Sequence, residues 1–356
     1  METQMNSIEK NEEFLRNIYR KGPMEGHAFV CMPCGKPVFE GNGDITLSDR
    51  PAEEWVPDIV DGYNRQVQMA EQTDSDLVPF CKLATATHIY AAAFGSPVHT
   101  FEDDNPCALP FVNTAEEADK IQEPDIWNCP GIARIFELGK AIQKELGDDV
   151  CLGPPDMQTG FDTACLIWDK TELYMAMMED EGAAALKRLS AKCARFFKKF
   201  LLELKKEFPN MSPCHCPDVW APPEMAPWMS NDECGAISTP MFEEFLLPEM
   251  LDLAETFGGL GMHCCADAEH QFESFKKIPG WYAFNRVAGR QGWRPVIEQF
   301  DGSDETPVMV LAWMEDDDME MLIREAPDGM RFIFQKNTDD LDEAKQWIEF
   351  GRNLRQ

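Results

Sequence analysis

Met262-His263-Cys264-Cys265-Ala266-Asp267 closes an apolar run of the chain. Residues two apart in a strand face the same side, so His263 and Cys265 converge on one point while Cys264 turns away. One imidazole and one thiolate at that spacing make half of a site for Zn²⁺, which prefers nitrogen and sulfur donors in a tetrahedron. The plainer alternative is a buried cysteine pair beside a hydrogen-bonded histidine, because free cysteine is among the most buried residue types. Cys214-His215-Cys216-Pro217-Asp218 is a second cluster. Cys214 and Cys216 share one side, and either, Cys216 first, is a candidate further ligand if their strand neighbours the one ending at Cys265; Asp218 is a candidate substrate contact. A packed strand without metal is the alternative there. Cys31-Met32-Pro33-Cys34 lacks the second pair that a zinc ribbon needs and reads as a loop. Glu315-Asp316-Asp317-Asp318 suits the positive end of a helix, so capping explains the run. Glu315 stays a candidate catalytic base or metal ligand because it follows a strand-like run. Asp156, as a catalytic carboxylate, and Asn285, as a substrate contact, hold the same kind of place. A Gly-x-Ser-x-Gly elbow, a Gly-x-Gly-x-x-Gly fingerprint and a phosphate-binding loop are absent from the sequence.

The elements that must position these groups alternate along the chain. Residues 27–31, 76–80, 150–154, 214–220, 259–265, 281–285, 307–313 and 331–335 read as buried strands. Between them, residues 114–120 open with the capping pattern Thr114-x-x-Glu117, and residues 131–146 have helical spacing. Residues 170–204 read as two helices broken near Glu181-Gly182, and 240–257 as one long helix stopped by Gly258-Gly259. Eight strand-like runs alternating with helices point to an α/β fold, a (β/α)8 TIM barrel over residues 76–356, with residues 1–75 as an N-terminal helix and cap segment. In such a barrel the chemistry sits at the C-terminal ends of the strands, which is where the candidates fall. The Pro-, Met- and Trp-rich stretch from Trp220 to Cys234 reads as a long loop walling a pocket for an apolar group.

Composition narrows the function classes. With 32 basic and 64 acidic residues the formal charge is −32, which disfavours nucleic acid and anionic membrane surfaces as partners. A hydrophobic share of 44% and an aromatic share of 10% supply a large core and argue against disorder. The N-terminus carries no signal-peptide pattern, and no apolar run has the length of a membrane span. Thirteen cysteines in that setting point to reduced thiols in the cytoplasm.

Several blocks together resemble the uroporphyrinogen decarboxylase superfamily. They are Ala93-Phe94-Gly95 with Asn113 to Lys120, Thr159 to Ala164 with Lys170-Thr171-Glu172, Ile237 to Pro248, and Gly261 to Ala266, in order over roughly residues 75 to 350. The resemblance implies a (β/α)8 barrel and two possible chemistries. The Arg-rich N-terminal motif of the metal-free decarboxylases is missing. His263 and Cys265 match the first two ligands of the zinc methyltransferases that work with corrinoid proteins. The later cysteine of that branch is absent, because no cysteine follows Cys265. Either Cys216, Glu315 or Asp218 then completes the site, or the metal is lost in this chain. The resemblance implies a corrinoid-dependent methyltransferase with Zn²⁺, a small-molecule methyl donor or acceptor, and O-demethylation as one direction. The corrinoid (cobalamin) belongs on a separate partner protein, since the chain has no Asp-x-His-x-x-Gly segment. A metal-free decarboxylase or lyase of a small carboxylic acid, and a non-catalytic corrinoid-pathway binding protein, are the alternatives.

Overall fold

The structure is a computed structural model that describes residues 6–354. Eight short strands run parallel: β1 (Ala28–Met32), β2 (Cys81–Lys82), β3 (Leu152–Gly153), β4 (Trp228–Ser230), β5 (Leu260–Cys264), β6 (Trp281–Arg286), β7 (Val308–Ala312) and β8 (Phe332–Asn337). Six form one sheet in the order β1-β8-β7-β6-β5-β4, and β2 pairs with β3 separately. Sequences such as Val308-Met309-Val310-Leu311-Ala312 are buried at every position, as expected for parallel strands covered by helices. The two sheets are linked by local contacts. The bridge Gln158↔Ser230, past the end of β3, lies on one side, and on the other Asp76 N–H donates to Phe29 O at 3.0 Å while Phe29 N–H donates to Asp76 Oδ2 at 2.8 Å. The result is a mixed α/β architecture of the barrel-like kind, without one continuous eight-stranded ladder among the described residues. A separate antiparallel pair, Val98–His99 with Cys107–Ala108, lies outside these sheets. Among the described residues no helix is long and apolar enough to cross a membrane.

Several of the expected elements are redrawn. Residues 76–80 form no strand, and the short strand of that region is β2, Cys81–Lys82. Residues 214–220 form no strand, and the strand of that region is β4, eight residues further on. Pro213 and Pro217 lack the N–H that a ladder needs, so pairing waits for the Pro-free run Trp228-Met229-Ser230. Residues 240–257 split into helices Thr239–Phe245 and Leu247–Phe257, because Pro248 fits only the first turn of a new helix. The second ends as expected at Gly258, which is left-handed with φ 79°. Helices Lys170–Ala176 and Asp180–Glu207 break before Gly182. Gly182 instead lets the second helix touch the first, since a Cβ there would lie 2.5 Å from Ala176 O.

Helix Gly160–Ile167 is tied to helix Leu247–Phe257 by one carboxylate. The Gly160 N–H donates to Glu249 Oε1 at 2.7 Å, while Glu249 Oε2 is buried without a partner. Burial pushes the Glu249 carboxyl from its usual 4.5 up to about 7, and burial likewise pushes Asp156 up to about 6. Both folded-state values lie above the unfolded ones. Their stabilising contribution is therefore complete below about pH 4 and is lost as pH rises through 6 to 7. The thermal midpoint should fall between pH 5 and pH 8, and Glu249→Gln, which keeps an acceptor for Gly160, should flatten that fall. Scanning calorimetry across this range checks it; an unchanged slope in the variant removes Glu249 as the cause.

Candidate metal centre

Three neighbouring strands bring the site together. Register places Ser230 of β4 beside His263 of β5, and His263 beside Asn285 of β6. Asp232 follows β4 by two residues, and Cys265 is the first residue beyond β5. One ligand atom each from Asp232, His263 and Cys265 lies within 4.8 Å of the other two. Asp232 Oδ1 stands 3.9 Å from His263 Nε2 and accepts the Cys265 backbone N–H at 2.9 Å.

The outer groups decide which nitrogen of His263 is free. Asn285 Nδ2 donates to Val310 O at 2.6 Å, which turns Asn285 Oδ1 toward His263 Nδ1, also at 2.6 Å. An amide oxygen only accepts, so Nδ1 carries the proton and Nε2 keeps its lone pair facing Asp232. Asp232 is held in turn by Asp162. This buried carboxylate accepts the backbone N–H groups of Asp232 and Glu233, each at 3.1 Å. Burial first, and then the Asp232 charge, push the Cys265 thiol well above its ordinary value. A bound dication reverses that balance by stabilising the thiolate. A nitrogen, a sulfur and an oxygen donor, with the imidazole tautomer already set, are a donor set that would suit Zn²⁺.

The candidates named from sequence are distributed as follows. His263 and Cys265 meet. Cys216 is not in the cluster; Asp232 stands where a third ligand is needed, and burial pushes the Cys216 thiol up to about 12. Asp218 pairs with Lys82, whose Nζ also donates to His215 O at 2.9 Å, so this carboxylate is engaged by a protein cation. Asp156 accepts from Gln158 Nε2 at 2.9 Å, and Gln158 bridges to Ser230, next to the site. The Asp232 charge contributes to its upward shift after burial. Glu315 is an exposed residue at the start of helix Asp316–Glu325 and does not join the cluster. Asn285 is buried behind His263, where its Oδ1 accepts from the His263 Nδ1–H. Asp232 itself is missed from sequence because β4 is missed; a carboxylate two residues past an apolar triplet is the available signal. Nothing in the sequence singles out Asp162.

Two neighbours complete the surroundings. His215 is buried with its ring 6.0 Å from that of His263, and its Nε2 is 2.9 Å from Ser230 Oγ. Burial, and then the His263 ring, push it well below the usual histidine range, which keeps it neutral. Arg286, in register with Cys264, donates through Nη2 to Glu269 Oε1 at 2.6 Å, and only 2% and 5% of these side chains are exposed. Removing the acceptor behind His263 tests the arrangement. Asn285→Ala should weaken zinc binding by about 10- to 100-fold, the usual cost of losing such a partner. Competition against a chromophoric chelator measures it, and an unaltered affinity rules the orienting role out.

No known protein family matches the chain, and no curated protein matches it. Among solved structures it is similar to a methyltransferase from Methanosarcina mazei, at a TM-score of 0.62 and 11% identity. The alignment covers 97% of this chain and 99% of that one, so the two share a fold over their whole lengths.

Proposed function

We propose that the protein is a zinc-dependent methyltransferase on a (β/α)8 barrel of the uroporphyrinogen decarboxylase kind. It moves a methyl group between a small methylated substrate or thiol and a corrinoid on a separate protein. The observation that carries this reading is the donor set Asp232, His263 and Cys265 at the ends of adjacent strands. The fold shared with a methyltransferase supports it. Zn²⁺ held by these three residues supplies Lewis acidity, either holding a thiol as thiolate or polarising the heteroatom that leaves a methyl group.

The chain's own residues do the rest. Asn285 fixes His263 with Nε2 forward, and Asp162 fixes the backbone of Asp232. Asp156, whose carboxyl burial raises to about 6 and which accepts from Gln158 beside Ser230, is the candidate to take up the proton of a thiol or return one to a leaving heteroatom. Trp313 sits one residue beyond β7 in a left-handed conformation, φ 56°, with its side chain exposed. A bulky residue held there presents a flat apolar face at the strand ends, suited to a ring-bearing methyl donor. A metal-free decarboxylase needs a free arginine at these strand ends to hold a carboxylate. Arg286 is committed to Glu269, and Arg331 donates to Gly22 O, which disfavours that alternative.

Elemental analysis of purified protein, followed by transfer of methyl from methylcobalamin to a thiol panel and from aryl methyl ethers to cob(I)alamin, tests the reading. One zinc per chain with turnover in either direction supports it. No zinc and no transfer ends it.

A further inference from the structure

A second pair of sulfurs lies beside the donor set. Cys234 Sγ and Cys264 Sγ are 3.6 Å apart and both side chains are buried. Cys264 stands between His263 and Cys265, and Cys234 follows Asp232 by two residues. The pair therefore joins the segment that carries the carboxylate to the strand that carries the other two donors. In the reduced state the Cys234 thiol donates to Asn231 O at 2.9 Å, closing the turn that Asp162 holds through the Asp232 and Glu233 N–H groups.

We propose that Cys234 and Cys264 form a reversible disulfide that weakens metal binding at Asp232, His263 and Cys265, a regulation that rests on the metal reading above. The oxidant is a small hydroperoxide. One thiol sulfur attacks the peroxide, the O–O bond breaks, and a sulfenic acid and water (or an alcohol) form. The second thiol attacks that sulfur, the S–O bond breaks, the S–S bond forms and a further water leaves. Each sulfur gives up one electron overall and the peroxide takes two. A disulfide needs about 2.05 Å between sulfurs, so the two sulfurs must close by roughly 1.5 Å from their 3.6 Å separation. Zinc sites tolerate deviations of about 0.2 Å, so the part of that closure passed to the segments carrying Asp232 and Cys265 costs affinity. The bond also removes the thiol that closes the turn beneath Asp232.

The test uses the full chain, reduced and then treated with hydrogen peroxide. Peptide mapping without reductant reads the linkage, and chelator competition reads zinc affinity. The expected result is a Cys234–Cys264 crosslink, a zinc affinity lowered at least about tenfold, and recovery with dithiothreitol. Cys234→Ser should form no such crosslink and keep its affinity under the same dose. A crosslink involving Cys265 instead, or an equal loss of affinity in Cys234→Ser, overturns the proposal. Reduced protein that binds no zinc fails the metal reading, while the crosslink map still judges the thiol pair.

Discussion

His263→Ala is expected to lower zinc affinity by more than about 100-fold and to abolish methyl transfer while leaving the fold in place. The magnitude follows from its position. Losing a group that merely orients a ligand costs about 10- to 100-fold, and His263 is the ligand whose free nitrogen faces Asp232 at 3.9 Å. Cys265→Ala should act alike, and the double variant should bind no zinc. Asp232→Asn separates two roles of one side chain. The amide still accepts the Cys265 N–H, as Asp232 Oδ1 does at 2.9 Å, but it offers the metal no negative charge. Zinc binding should therefore fall although the loop stays put. Elemental analysis and single-turnover transfer measure these effects, with circular dichroism to confirm folding. Wild-type zinc content and rate in the double variant would falsify the donor assignment.

Glu269→Ala should cost the fold far more stability than removal of an exposed carboxylate. Glu269 and Arg286 are 5% and 2% exposed, so the deletion leaves a guanidinium stranded in the interior. Breaking one side of such a pair costs about 3–5 kcal/mol, whereas replacing both charges with apolar groups is often neutral. The Arg286 guanidinium also lies over the Phe272 ring, its Cζ 5.9 Å from the ring centroid, and a methionine thioether can partly replace that contact. Arg286→Met with Glu269→Leu should then recover most of the loss. Urea unfolding of the two single variants and the double variant gives the cycle. Single-variant losses below about 1 kcal/mol, the range of exposed pairs, would show that the charges are not confined as described.

Strands buried on both faces are the legible part of the fold. Runs such as Phe332-Ile333-Phe334 and Met309-Val310-Leu311 are unbroken apolar segments, and the structure places β8 and β7 there. Elements whose limits depend on proline are not legible in the same way. Pro213 and Pro217 displace the expected strand into Trp228–Ser230, and Pro248 divides the expected long helix. The site follows the same division. His263 and Cys265 are neighbours in sequence, and their alternation on a strand is a local rule. Asp232 is 31 residues from His263, and only the pairing of β4 with β5 joins them. Asn285 stands out in the sequence for its place at a strand end, yet register with His263 gives it a buried role that no local pattern encodes. Asp162 acts through backbone amides 70 residues away, a relation invisible without the fold.

β4 is an edge member of the six-stranded sheet, held on its far side by the bridge from Gln158 to Ser230 and by the Trp228 N–H, which donates to Pro213 O at 3.3 Å. His263 and Cys265 stand on or just past β5, inside the sheet, whereas Asp232 follows the edge strand β4 and is tied back by the Asn231 N–H, which donates to His263 O at 3.0 Å. Opening at a sheet edge costs less than opening its middle, so motion of the Asp232 segment is cheaper than motion of β5. Were an ion held by these three residues, the carboxylate would be the donor most readily exchanged for an incoming heteroatom.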